Sequence, residues 1–272
     1  MSTNVRSSTA DKELLGHEEK TRAFRGLVEA RSLGHAYLFF GDDGIGKFRF
    51  AVALANLLER KQWEVGRSET LSDVFIVECP EEETSLGIDV VRTIRRFLSE
   101  TPFHSSRRTV IIRDAERLTW EAESALLKIM EEPPPHALIL VVARDPSALF
   151  PPLASRMAKV YFARFSREAL AELLTRHFGA SAREASTLAA RSFGRLGYAL
   201  KIMKNGKGKS KKEMSEETLA EKLEALVLSR FERGVEKESA ALSFLLARLE
   251  AASRFNLNPR LQERAVAHTI GT

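Results

Sequence analysis

The sequence predicts an α/β fold with a parallel sheet, followed by two smaller helical regions. A glycine-rich loop, 41–48, lies between an apolar run and a helical pattern, which is the strand–loop–helix order of phosphate-binding loops. Short apolar runs alternate with helical periodicity as far as residue 165. Continuously apolar strands of this kind are typical of a parallel sheet that is covered on both faces. After residue 165 only helical periodicity remains.

The elements of the first 165 residues alternate between helix and strand. Apolar spacing predicts, in order, a helix at 12–30, a strand at 36–40, a helix at 49–60, a strand at 73–78, a helix at 88–100, a strand at 109–114, a helix at 120–132, a strand at 137–143 and a short strand at 160–162. Thr119 can cap the helix at 120–132, and the three prolines at 133–135 end it. Residues 1–11 are polar and are predicted to form a flexible tail.

The remainder of the chain is predicted to be helical. Helices at 167–178, 182–193 and 197–203 would form one small domain. A basic, glycine-containing run at 204–213 is predicted to be a linker, and residues 214–272 again carry a helical period. This last region is short for an independent domain, so we expect it to pack on a partner or on the rest of the chain.

Composition limits the class of protein. The chain has 272 residues, 44% of them apolar, and a net charge of +5, a mild basic bias that a solvated mixed-charge surface explains as well as nucleic acid does. Cys79 is the one cysteine, which excludes an intrachain disulfide and a four-cysteine zinc site. No apolar run is long enough to span a bilayer, and the first residues lack the apolar core of a signal peptide. We therefore expect a soluble, cytoplasmic protein without membrane partners.

The loop at 41–48 is the strongest functional motif. Gly41, Gly44 and Gly46 would let backbone N–H groups surround phosphate oxygens at a helix N-terminus, and Lys47 would reach the outer phosphates. The next position, which in such loops carries a Ser or Thr hydroxyl for Mg²⁺, is Phe48. We therefore expect that any ATP or ADP bound by the loop is not hydrolysed. No metal-binding residue is predicted.

An acid that completes a nucleotide site is expected at the end of a neighbouring strand. Asp114 ends the run at 109–114 and is predicted to lie where a Mg²⁺-bound water would sit, although taken alone an aspartate there is better explained as a strand-end cap. The next residue, commonly a glutamate that polarises the attacking water, is Ala115, and Glu116 is expected to point elsewhere. Phosphoryl transfer depends on a positioned metal ion and a positioned water. Phe48 replaces the residue that would hold the metal, and Ala115 replaces the residue that would polarise the water, so both positions argue against hydrolysis.

Arg156 follows the fourth predicted strand, in the tripeptide Ser155-Arg156-Met157. An arginine on a loop there could reach across an interface to a neighbour's γ-phosphate, because its charge is permanent and its donors are bidentate. From the tripeptide alone an ordinary surface arginine is the better interpretation, since short motifs often match by chance.

Five stretches occur in one order between residues 12 and 165, namely 15–18, 35–39, 88–92, 114–134 and 155–156. Together they resemble the delta-prime subunits of bacterial DNA polymerase III clamp loaders, within the AAA+ family. The segment 125–134, Ala-Leu-Leu-Lys-Ile-Met-Glu-Glu-Pro-Pro, is the most specific of them. The resemblance implies an AAA+ P-loop domain at 12–165, a helical lid domain at 166–203 and an abbreviated helical collar at 214–272.

The resemblance also implies a function. Delta-prime members are generally stators, so Arg156 would be an arginine finger acting in trans on a motor ATPase during loading of the sliding clamp. The chain itself would hydrolyse no ATP, although it would belong to a DNA-directed DNA polymerase holoenzyme. Implied partners are motor subunits of the gamma/tau type and a delta subunit, with the sliding clamp and primer-template DNA reached through the complex. Many members carry a four-cysteine zinc module, but the interval 60–72 lacks cysteine, so no zinc is expected.

Two other functions stay open. One is an active P-loop ATPase, such as a clamp-loader motor subunit, which positions 48 and 115 disfavour. The other is a nucleic-acid-binding module that uses the basic run at 204–212, although such runs are usually solvated. The arginine that many family members place in the lid domain as a nucleotide sensor could be Arg195, but Gly197 or Tyr198 could equally occupy that position.

Overall fold

The computed structural model describes residues 14–65, 71–80 and 82–206. The chain divides into two compact units, residues 1–199 and 200–272, and the first contains the sheet. The predicted tail at 1–11, most of the predicted linker at 204–213 and the predicted collar at 214–272 lie outside the described residues.

Helices and strands alternate through the part of the chain that the structure describes. The helices are α1 (Glu18–Glu29), α2 (Lys47–Arg60), α3 (Ile88–Ser99), α4 (Trp120–Glu131), α5 (Pro151–Ser155), α6 (Arg167–Phe178), α7 (Ala182–Arg191) and α8 (Leu196–Gly206). The strands are β1 (Ala36–Phe40), β2 (Val74–Val77), β3 (Arg108–Ile112), β4 (Ala137–Ala143) and β5 (Ala158–Tyr161). Two 3-10 helices, Ala115–Arg117 and Pro146–Ala148, follow β3 and β4. Across these ranges no helix is both long enough and apolar enough to cross a membrane.

The five strands form one parallel sheet in the order β2-β3-β4-β1-β5. β1 lies between β4 and β5, with Ala36 opposite Ile139 and Tyr37 opposite Ala158. Because all strands run in one direction, the segments that follow β1, β3, β4 and β5 meet along one edge of the sheet. The predicted parallel α/β fold is confirmed, and this edge is where the candidate site lies.

Each face of the sheet has its own apolar core. Along β4, Ile139 and Val141 face a core shared with α3 and α4, whereas Leu138 and Leu140 face a core shared with α1 and α2. The second core is rich in aromatic rings; its members include Phe24, Phe39, Phe50 and Phe162. Full burial of such side chains contributes about 1.5–3 kcal/mol each, so the strand that precedes the loop at 41–46 is firmly held.

The boundaries of most elements agree with the apolar pattern, but two expectations are wrong. The helix predicted from residue 12 begins only at Glu18, because Gly16 and His17 both have positive φ, 74° and 60°, which ends any helical path. The segment after β4, predicted as a loop, contains the short helix α5. Pro151 and Pro152 occupy its first positions, where proline lacks only an N–H that would have no helical partner.

Candidate functional site

The loop at 41–46 joins β1 to α2 at the carboxyl edge of the sheet. Gly41, Gly44 and Gly46 have φ values of 134°, 75° and 105°, which L side chains rarely adopt. A Cβ at Gly41 would lie 2.3 Å from the carbonyl oxygen of Phe162, directly after β5. The close approach of that segment therefore also requires glycine at position 41. The backbone therefore has the compact shape that a phosphate group would need at the N-terminus of α2.

Lys47 is buried at the start of α2 and turns back onto its own loop. Its Nζ donates to the carbonyl oxygens of Gly41 and Asp42, at 2.7 Å for Asp42, and lies 3.7 Å from the Asp43 carboxylate. Burial lowers the pKa of Lys47, while the charges of Asp43 and Glu116 act in the opposite direction. The cation expected to reach phosphate is thus engaged by oxygen atoms of the loop itself.

Two arginines bind the aspartates of the loop. Arg164, just beyond β5, donates from Nε and Nη2 to the two carboxylate oxygens of Asp42, at 2.5 and 3.1 Å. Arg144, directly after β4, pairs with Asp43. The hydrogen bond from Arg164 is the main cause that lowers the pKa of Asp42. The sequence pattern does not predict these pairs, although both arginines follow strands that neighbour β1.

Phe48 occupies the position where a magnesium ligand is expected, and the guanidinium of Arg113 lies over its ring. The guanidinium carbon of Arg113 lies 5.0 Å from the centre of the Phe48 ring, and its Nη1 donates to Glu78 at 3.0 Å. Asp114 lies two residues beyond β3, and its exposed carboxylate is 3.8 Å from Arg113 Nε. Mg²⁺ needs oxygen ligands in octahedral geometry, and a neighbouring guanidinium repels it. The loop shape therefore fits a phosphate group, but Phe48 and Arg113 do not fit Mg²⁺.

The residues after Asp114 differ from their expected placement in one respect. Ala115 is fully buried and begins a 3-10 helix, so it presents no polar group to the loop. Glu116 was expected to point elsewhere, which is wrong. The 3-10 turn brings its carboxylate to the backbone N–H of Arg144, and its charge also acts on Lys47. Asp114 makes no capping hydrogen bond with its side chain. In the described ranges, no three side chains of His, Cys, Asp or Glu assemble as a metal site.

Segments distant in sequence hold the phosphate loop through its carbonyl groups. His17 places Nε2 2.8 Å from the Ile45 carbonyl oxygen, and the Gly197 N–H donates to Gly44 at 2.7 Å. Of the three residues considered as sensors, Gly197 therefore contacts the loop with its backbone. Arg195 lies over the ring of Tyr198, 4.8 Å from its centre, and its charge helps to lower the pKa of Asp42.

Arg156 is exposed and directly follows α5, in the short turn that leads into β5, so it lies outside the regular elements as expected. Its Nη1 donates to the Pro152 carbonyl oxygen at 3.0 Å, and its Nη2 donates to Glu131 at 2.6 Å. Glu131 ends α4 and lines a groove of about 650 Å³ between α3 and α4. The guanidinium is therefore held at the surface by an ion pair that a competing anion could replace.

The family described as DNA polymerase III, delta subunit, matches residues 16–166, which include the whole sheet and the phosphate loop. The chain belongs to this family. The resemblance to delta-prime subunits predicted from the five motifs is thereby confirmed, and a relative of that name supports it.

Three curated relatives share parts of this sequence. The DNA polymerase III subunit delta' of Pseudomonas aeruginosa is 33% identical over 134 residues, 45% of this chain and 41% of that protein. The DNA polymerase III subunit gamma/tau of Mycobacterium tuberculosis is 28% identical over 175 residues, 60% of this chain and 30% of that protein. The replication factor C small subunit of Methanococcus maripaludis is 32% identical over 164 residues, 60% of this chain and 49% of that protein. The chain thus spans less than half the length of each relative.

Solved structures support the fold. The RuvB Holliday junction branch migration motor of Thermotoga maritima superposes with a TM-score of 0.51 at 18% identity, covering 70% of this chain and 61% of that one. At this identity the likeness concerns the fold alone. The chain shares with RuvB an α/β P-loop domain of the AAA+ type.

Proposed function

We propose that this chain is a non-hydrolysing stator of a DNA polymerase III clamp loader, acting in DNA replication. The observation that carries the proposal is the covered metal position, where Arg113 lies 5.0 Å over the ring of Phe48. Ala115 is fully buried and supplies no acid for the attacking water. Phosphoryl transfer needs both a positioned metal and an oriented water, so the site lacks the parts that hydrolysis uses.

Arg156 is the residue proposed to act on another subunit. It would donate its guanidinium to ATP held by a neighbouring motor subunit and stabilise the charge that develops on the transferred phosphoryl group. Such a contribution can reach ~10³ or more in rate. Its exposed position and its single-carboxylate partner Glu131 support this role, since a phosphate offers the guanidinium a stronger, bidentate partner. The proposed partners are gamma/tau-type motors and a delta subunit, which together would reach the sliding clamp and primer-template DNA in the cytoplasm.

An active motor ATPase is the second candidate, and two observations favour it. The charge of Glu116 raises the pKa of Lys47, so a carboxylate beyond β3 still acts electrostatically on the lysine of the phosphate loop. The gamma/tau relative also matches a larger share of this chain than the delta' relative does, 60% against 45%. The two candidates separate on hydrolysis by the isolated chain, which only the motor would show.

The first experiment is to tag the chain in its native cytosol and identify the proteins that co-purify. The stator function predicts a P-loop motor subunit and a second clamp-loader subunit. The reconstituted assembly then allows Arg156→Ala to be tested on DNA-stimulated ATP hydrolysis, with a loss on the order of 10³ expected at the one site that Arg156 serves.

Arg176→Ala is the matched control for this substitution. Arg176 is also exposed and paired with a glutamate, Glu172, at 3.3 Å, but it lies on α6. We expect the control assembly to retain its activity. Unchanged hydrolysis with Arg156→Ala, or Mg²⁺-dependent hydrolysis by the isolated chain, contradicts the stator function.

A further inference from the structure

The phosphate loop contributes its own negative charges to the cations around it. Asp43 faces two cations, with Lys47 Nζ 3.7 Å from Oδ1 and Arg144 paired at Oδ2. Asp42 receives both donors of Arg164, at 2.5 and 3.1 Å. Each of these three cations therefore has a carboxylate of the loop as a partner.

The arrangement satisfies the donors that a polyphosphate would use. A guanidinium binds a carboxylate and a phosphate with the same forked geometry, so Asp42 holds Arg164 in the way that a phosphate would. Any incoming polyphosphate must displace two carboxylates that are covalently part of the loop, and it is repelled by them as well. Glu116, whose charge also acts on Lys47 and Arg144, adds to this repulsion.

We propose that Asp42 and Asp43 are internal counter-ions that take the place of nucleotide phosphate on Lys47, Arg144 and Arg164, and so exclude nucleoside polyphosphates from the loop. The excluded ligand class is defined by charge, because the two carboxylates oppose any polyphosphate whatever its base. The loop then has a structural role. Its carbonyl oxygens at Gly44 and Ile45 accept hydrogen bonds from Gly197 and His17 and so connect these segments to the sheet domain.

This property is independent of the proposed stator function. The charges of the loop are the same in the isolated chain and in an assembly, and Arg156 is not among them. A failure of the counter-ion proposal would therefore leave the role of Arg156 untouched, and the reverse also holds.

The test is a binding titration of the full chain with inorganic tripolyphosphate and, separately, with ATP, by calorimetry at low salt in EDTA. Asp42→Asn/Asp43→Asn keeps the size of both side chains and removes both charges. Removing one unit charge about 4 Å away in a water-like dielectric changes an affinity about fivefold, so the double variant is expected to bind roughly 30-fold more tightly than the parent. Both ligands should gain to a similar extent.

Two controls separate local charge from net charge and from loosening of the loop. Asp89→Asn/Glu121→Gln removes two exposed carboxylates from the first turns of α3 and α4, and it should leave affinity within about twofold. Arg164→Gln breaks the pair with Asp42 but removes a cation, so it should produce no gain. The single variants Asp42→Asn and Asp43→Asn, each checked by thermal unfolding, replace the double variant if that variant does not fold.

Three results would overturn the proposal. The first is parent affinity for ATP that the double variant leaves unchanged. The second is an equal gain in the control variant Asp89→Asn/Glu121→Gln. The third is a gain with Arg164→Gln, which would mean that a looser loop, and not the removal of negative charge, admits the ligand.

Discussion

Replacing Asp73 with alanine is expected to be strongly destabilising, because this carboxylate is the centre of a buried polar network. Asp73 is 1% exposed and immediately precedes β2. Its Oδ1 accepts the N–H of Phe103 at 2.7 Å and Nη1 of Arg108 at 3.0 Å. Its Oδ2 accepts the N–H groups of His104 and Ser105 at 2.6 and 2.7 Å. The side chain thus fixes the turn that leads into β3.

The contacts set the magnitude. Breaking a buried charge pair costs about 3–5 kcal/mol, because the remaining charge loses its partner. Arg108, 2% exposed, retains Glu100 and the Ser72 carbonyl oxygen, and its guanidinium lies 4.2 Å from the ring centre of Phe97. We therefore expect a loss of about 3–4 kcal/mol from the free energy of unfolding. In a domain of this size, each kcal/mol of lost stability lowers Tm by about 2–4 °C, so Tm should fall by roughly 6–16 °C.

The assay is urea and thermal unfolding of the full chain followed by circular dichroism. Asp89→Ala is the matched control, since its 2.6 Å pair with Arg92 is exposed and worth less than about 1 kcal/mol. A loss below about 1 kcal/mol for Asp73→Ala would refute the reasoning, because a network that matters must cost more than an exposed pair.

The same carboxylate predicts a dependence on pH. Burial alone would raise the pKa of Asp73, but the three backbone donors and Arg108 outweigh it and lower the pKa. Its contribution to stability is therefore complete above the unfolded pKa of about 3.9 and is lost as pH falls through the lower, folded value. Asp73→Asn should be less stable at neutral pH and lose less of its stability in acid. Parallel pH profiles for parent and variant would contradict the assignment.

Two further predictions concern the candidate site. Phe48→Thr restores the hydroxyl that a phosphate loop uses to bind magnesium. In titrations with and without EDTA, Mg²⁺ should therefore increase the nucleotide affinity of the variant but not that of the parent. Equal Mg²⁺ dependence in both proteins would show that Phe48 is not what excludes the metal. Glu131→Gln releases Arg156 from an exposed ion pair worth at most about 1 kcal/mol, so ATP hydrolysis by the reconstituted assembly should rise by up to about fivefold. A tenfold fall would instead give Glu131 a direct part in the reaction.

The fold was largely predictable because its strands are apolar and bounded by turn residues. The strand pattern at 137–143 coincides with β4, which is buried along its whole length. The start of α1 was not predictable, since it depends on His17 adopting a positive φ, which its residue type does not require. The helix α5 was missed because Pro151 and Pro152 are as typical of a loop as of a first helical turn.

The candidate site was predictable only where its residues are adjacent in sequence. Three glycines and Lys47 fall within seven residues, so the loop was found. The pair between Asp42 and Arg164 joins positions 122 residues apart, and it forms because β5 lies beside β1 in the sheet. Sequence periodicity predicts strands but not their order, so the partners of the loop aspartates could not be inferred. The position of Arg113 over Phe48 likewise depends on how β3 and α2 pack.

The glycine motif does not by itself distinguish a loop that binds nucleotide from one that serves packing. Gly41 is required in either case, because a Cβ there would lie 2.3 Å from the Phe162 carbonyl oxygen. Lys47 likewise has a structural role, since it donates to carbonyl oxygens of the loop and is buried there. Glycine and lysine at these positions are thus explained by contacts within the chain. What separates the two functions is the set of charges around the loop, and Asp42 and Asp43 are where that difference can be measured.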